Sequence, residues 1–156
     1  MYDQKAEFKR LRSLLASHQL LCCQDYALVQ GGKGVSFQDL IIAMITRSSD
    51  VGDSMPGSRD DDEAVDRYGC HTSWWHTLVP SGNQNAENVM MMWNAWLPIL
   101  DTAGYREIFI FSDGCRRQFK CRRMMHYWMS LKKQYPHIKY VFTYICRKCR
   151  VYHVLT

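Results

Sequence analysis

The chain has 156 residues, of which 47% are hydrophobic, including five Trp, nine Tyr and six Phe. That length suits one domain with one core, and the composition excludes disorder; no apolar run reaches the ~20 residues that span a bilayer, so no membrane association is expected. The net charge of +5 agrees with a polyanionic partner without demanding one.

The opening MYDQKAEFKRLRSLL has no cleavable apolar core, so an intracellular location is expected. The seven cysteines are an odd number and read as reduced thiols, most of them small core hydrophobes.

Within residues 1–18, Phe8, Leu11, Leu14 and Leu15 recur at helical spacing among Lys and Arg, which predicts an amphipathic lead-in helix over 3–17. Residues 19–156 make one domain. Leu20 to Val29 read as a strand closed by a Gly31-Gly32-Lys33-Gly34 turn, and Leu40 to Thr46 as its antiparallel hairpin partner. Residues 47–68, rich in Ser, Asp, Gly and Arg, read as a long loop, with the run Asp60-Asp61-Asp62-Glu63 inside it. His71 to Val79, with Trp74, Trp75, Thr72 and Thr77, form a third strand. A helix follows, in which Ala86, Val89, Met90, Trp93, Leu97 and Leu100 share one face. Asn83 or Asn85 caps its start and Gly104 stops it.

Ile108 to Phe111 are a short continuous apolar run, the signature of a strand covered on both faces. Cys121, Met124, Met125, Trp128, Leu131 and Tyr135 then repeat at helical spacing, while Arg116, Lys120 and Arg123 share a different, basic face. Pro136 ends this helix, and Ile138 to Ile145 form the fifth strand. The order is therefore βββαβαβ behind a lead-in helix. It fits an α/β fold with a mixed sheet in which strands one, four and five run parallel.

That arrangement makes strands one and four neighbours. Asp25 sits inside strand one, on the face of Leu21, Cys23, Ala27 and Val29, and Asp113 follows strand four at the carboxyl end, where open α/β sheets bind ligands. A mid-strand Asp has poor strand propensity and no capping role. Two carboxylates converging in an apolar sheet repel each other and lose hydration unless a proton or cation neutralises them. Mg²⁺ or Mn²⁺ answers that need, since these ions take carboxylate oxygens and keep places for water and phosphate oxygen. The bland reading of Asp113 is a turn or helix cap.

The segments LCCQDY, ending in Asp25-Tyr26, and FSDGCRRQFK, carrying Asp113, Gln118 and Lys120, resemble the RNase H-like catalytic domain of eukaryotic DDE-type transposases. The resemblance implies an RNase H-like mixed sheet and metal-dependent DNA phosphodiester cleavage or strand transfer in the nucleus. It makes Asp25 the ligand of both metals and Asp113 the ligand of one. The family's third acidic residue, on a helix after the last strand, has no counterpart, because no acidic residue follows Asp113. Either the chain is truncated after its fifth strand and possesses an incomplete site, or the acidic run at 60–63 supplies the missing oxygen.

Arg116, Arg117, Lys120 and Arg123 would neutralise backbone phosphates of DNA beside the metal site, and the resemblance adds Gln118 as a base or backbone contact. A basic helix face is otherwise a solvated face. Cys146, Cys149 and His153 offer three of the four ligands of a closed zinc site, so no zinc is expected there. The competing functions are a nucleic-acid-binding module without turnover and a transposon remnant without function.

Overall fold

In the computed structural model, residues 3–30, 36–48, 65–80, 85–112, 115, 118–145 and 150–155 are described; for 28–30, 36–38, 79–80, 132, 145 and 150–155 this covers the backbone only. The elements are helix α1 (Gln4–Leu14), strands β1 (Gln19–Gln30), β2 (Ser36–Arg47) and β3 (Cys70–Pro80), helix α2 (Ala86–Thr102), strand β4 (Glu107–Ser112), helix α3 (Arg122–Ser130) with a 3₁₀ turn at Leu131–Lys133, and strands β5 (Tyr140–Ile145) and β6 (Arg150–Leu155). The fold is α/β. No described helix is long and apolar enough to cross a membrane.

One six-stranded mixed sheet has the order β3-β2-β1-β4-β5-β6. β1 pairs antiparallel with β2, and β2 with β3, while β1, β4 and β5 are mutually parallel. The sheet does not stop at the fifth strand, where truncation is expected: β6 returns antiparallel along β5.

Alternation of side chains across each strand explains the layers. Leu20 and Cys22 of β1, Leu40, Ile42 and Met44 of β2, Ile108 and Ile110 of β4, and Val141 of β5 face one way. They pack against Val89, Trp93 and Leu97 of α2 and Met124 and Trp128 of α3. Their neighbours Leu21, Ile45, Phe109, Phe111 and Tyr144 face the other way and meet Phe8 and Leu11 of α1. β4 is accordingly buried along its length after Glu107.

Helix ends follow local chemistry. Asp3 caps α1, its carboxylate accepting the N–H groups of Lys5 (2.9 Å) and Ala6 (3.3 Å). Asn85 caps α2 through the N–H of Asn88, and Gly104, at φ +83°, follows the end of that helix, where a side chain would be strained. Asn83 lies outside the described residues. In α2, Met92 is buried and Met90 only half-buried, so the apolar stripe is rotated slightly from the expected one.

The second expected helix is shorter than its sequence pattern. It begins at Arg122, because Phe119 and Lys120 both donate their backbone N–H to the Cys115 carbonyl in a turn before it (3.1 Å each). Lys120 is therefore not on the helix and does not share a helical face with Arg123. β5 begins two residues later than expected, the Arg106 carbonyl accepting the N–H groups of both Lys139 and Tyr140, while Ile138 enters the core as a loop residue.

Candidate functional site

β1 is the central positioning element. Gln24 and Tyr26 face α2 and α3, whereas Cys23 and Asp25 face the α1 side. Buried Gln24 is fixed by Trp93 of α2, whose indole N–H donates to the amide oxygen at 2.9 Å. Tyr26 packs against Phe119, and burial pushes its phenol up to about 12. These contacts on one face aim the side chain between them, Asp25, to the other.

Asp25 is exposed, and its carboxylate accepts the N–H of Tyr26 at 2.8 Å. A cavity of about 360 Å³ opens beside it, lined by Gln4, Lys5 and Phe8 of α1, Cys23 of β1, and Phe111 and Ser112 of β4. Its floor is aromatic, since Phe8 meets Phe111 edge-on at 5.1 Å. Among the described residues, its rim bears one carboxylate, Asp25, and one ammonium, Lys5. The Cys23 side chain is open to solvent on one side, yet its thiol is packed closely enough that desolvation, with the Asp25 charge beside it, pushes its pKa up. It is accordingly a poor nucleophile.

The cavity lies at the carboxyl end of β4, where its parallel pairing with the middle of β1 ends at Gln24 and Ser112. Asp25 and Asp113 are the residues that follow this pair in sequence. Asp113 itself lies outside the described residues, as do Arg116, Arg117, Cys146, Cys149 and the acidic run at 60–63. His153 lies in β6, where the register pairs it with Phe142. The amide of Gln4 donates to the Tyr144 carbonyl (3.1 Å) and reaches the Ser112 carbonyl (3.5 Å), tying the start of α1 to the ends of β4 and β5.

The expected basic surface is partly spent. Arg123 is ion-paired with Glu87 of α2, and Arg122 donates to His126 at 3.3 Å. Lys120 is half-buried, and Gln118 is buried at 3% exposure, which leaves its side chain little room to meet a nucleic acid.

A second carboxylate shares the Asp25 face. In the sheet register Asp25 lies opposite Ile41 and Asp39 opposite Ala27, so Asp39 is a diagonal neighbour of Asp25 across β1 and β2. Asp39 is buried; its Oδ2 meets Nδ1 of His76 at 2.7 Å, and its Oδ1 has no hydrogen-bond partner among the described residues. The apolar run predicts a second strand only from Leu40, but β2 begins at Ser36, which places Asp39 inside a strand as Asp25 is.

Asp25 suits a hard divalent cation, being an exposed carboxylate at a solvent-open cavity. Among the described residues, no group of three or more His, Cys, Asp or Glu side chains is placed to hold a metal ion. No family model, curated protein or solved structure matches the chain.

Proposed function

We propose that the chain is an RNase H-like domain of the DDE-transposase kind, acting on DNA phosphodiester bonds with Mg²⁺ or Mn²⁺ at Asp25 and Asp113. The observation that carries this reading is an exposed mid-strand carboxylate on the central strand, at the carboxyl end of its parallel pairing with β4. The register there stops one residue short of a second aspartate. The sheet order β3-β2-β1-β4-β5, antiparallel on one side of β1 and parallel on the other, supports it.

Asp25 and Asp113 would hold the cations, whose chemistry there would be Lewis-acid activation of a phosphoryl oxygen and of water or a 3′-hydroxyl. The protein's own part is to hold carboxylate oxygen at a fixed place. Asp25 does so from a strand locked by the Gln24–Trp93 bond on its reverse face. Lys5 at the cavity rim offers an ammonium to a substrate phosphate, and half-buried Lys120, with Arg116 and Arg117 in the same stretch of sequence, would add positive charge for a polyanion. Such an activity belongs in the nucleus.

Calorimetric titration with MnCl₂ tests the site. Asp25→Asn and Asp113→Asn are each expected to weaken binding by about tenfold or more, since even indirect supports of a metal ligand cost ~10–100-fold. Unchanged affinity in both variants rejects the shared site. DNA binding without cleavage in Mn²⁺ would instead make the chain a binding module.

A further inference from the structure

β3 is one edge of the sheet, and among the described residues it is an edge without the usual protection. Natural edge strands are kept short, bulged or charged, because their free N–H and C=O groups otherwise pair with another strand. β3 has 11 residues, and residues 70–80 include no Lys, Arg, Asp or Glu; its proline, Pro80, comes last. Among the described residues, no backbone hydrogen bond joins the outer side of residues 72–78 to another segment. Trp74 and Leu78 are 62% and 63% exposed, two large apolar side chains two positions either side of His76 on one face.

We infer that β3 pairs antiparallel with β3 of a second copy, extending the sheet to twelve strands across a two-fold axis. A second copy is the occupant that the strand itself selects, because its exposed Trp74 and Leu78 are complementary to each other across a two-fold axis. Two chains that each carry +5 repel one another over most approaches, and an uncharged strand lets them meet without a like-charge clash. One register satisfies the exposed side chains. Centred on His76, it sets Trp74 opposite Leu78 of the second copy, twice over, an aromatic–aliphatic cross-strand pair of the stabilising kind. Each His76 remains held by its own Asp39.

The consequence reaches Asp25. His76 lies opposite Ile41, and Ile41 opposite Asp25, so this register puts both copies of that row on one line across the joined sheet. A two-fold axis normal to the sheet keeps both Asp25 side chains on the same face. Five strand spacings of ~4.8 Å separate them by roughly 24 Å. The interface is small beside the ~1,200–2,000 Å² of stable complexes, and its Kd is expected to be roughly micromolar.

Sedimentation equilibrium on the full chain, over about 1–300 µM around that Kd, reads the association. Wild type should pass from monomer to dimer, and Trp74→Lys should shift the midpoint upward by at least about tenfold, at an exposed site where folding is spared and circular dichroism checks it. The register has its own test. In the double variant Trp74→Lys/Leu78→Glu, each lysine faces a glutamate of the second copy, so dimerisation should recover relative to Trp74→Lys and weaken again as salt is added. A monomeric wild type, a dimer untouched by Trp74→Lys, or a double variant no better than the single one would overturn the inference.

Discussion

Replacing Trp93 by Phe removes one hydrogen bond, and its cost can be worked from the structure. Trp93 is fully buried, and its indole N–H donates at 2.9 Å to the amide oxygen of Gln24, itself 4% exposed. The substitution orphans a buried acceptor, worth about 1–3 kcal/mol. The lost ring also leaves a cavity beside Trp128, which now sits 5.4 Å from the Trp93 ring, and at ~24 cal/mol per Å³ of void this adds about 1 kcal/mol. The sum, about 3 kcal/mol, lowers the melting temperature by roughly 6–12 °C for a chain of this size. Gln24→Leu orphans the opposite partner and is expected to cost about 1–3 kcal/mol by itself. The double variant Trp93→Phe/Gln24→Leu has no orphan left, so it should be more stable than the sum of the singles by about 1–2 kcal/mol. Urea denaturation of all four proteins measures this cycle. Strict additivity would refute the claim that this buried bond fixes β1 to α2.

Partial burial would raise the Asp66 carboxyl above its ordinary 3.8, but the N–H groups of Cys70 and Tyr68 and then Arg12, at 2.6 Å, outweigh it and hold the pKa below that value. A lowered folded pKa stabilises above the unfolded value and is lost as pH falls through the folded one. Asp66→Asn should therefore shrink the drop in melting temperature between about pH 5 and pH 2, and an unchanged drop would count against the assignment. Tyr26 has the opposite sign: burial raises its phenol to about 12, so its contribution is present below the ordinary value of 10 and is lost as pH rises from there towards 12. Because its hydroxyl is buried with no partner among the described residues, Tyr26→Phe is expected to be neutral or stabilising by up to about 1 kcal/mol at pH 7, and more so above pH 10; destabilisation at pH 7 would show that the hydroxyl is satisfied. Arg116→Glu with Lys120→Glu should weaken nonspecific DNA binding and flatten the slope of log K against log salt by about two, whereas Arg123→Glu should do less because Glu87 already engages that guanidinium. Fluorescence anisotropy at several salt concentrations separates the two outcomes.

Most of the framework was legible because its signals are local. The β1–β2 hairpin, the third strand, α2 and the buried β4 each announce themselves through apolar alternation, a helical stripe or a continuous apolar run, and the sheet pairs β1 with β2 and with β4 as expected. The start of α3 was not legible. Arg116 to Lys120 suit a helix by propensity, but two N–H groups converging on the Cys115 carbonyl turn the chain first. β6 was missed although Val151, Tyr152 and Val154 favour strands, since its pairing with β5 is a tertiary fact. Asp39 was missed because the apolar run that marks the second strand starts at Leu40, whereas β2 begins at Ser36, and because His76, its partner, lies 37 residues away.

Asp25 and Asp39 put the same residue type on one sheet face to opposite uses. The fold supplies Asp39 with an imidazole at 2.7 Å and covers it, so its hydrogen bond is part of how β2 and β3 are held together. Asp25, diagonally across from it, receives a main-chain N–H from its own neighbour and stays exposed at the mouth of a cavity. Its local conformation costs strand propensity without returning a packing contact on that face. A β-branched residue at position 25 would serve the sheet better, and Asp25→Val is accordingly expected to raise stability by up to about 1 kcal/mol while abolishing Mn²⁺ binding at that position. A carboxylate that the fold would be better without is one whose presence has to be explained by what approaches from solvent. On this face that approach is framed by Lys5 and by the end of the β1–β4 pairing.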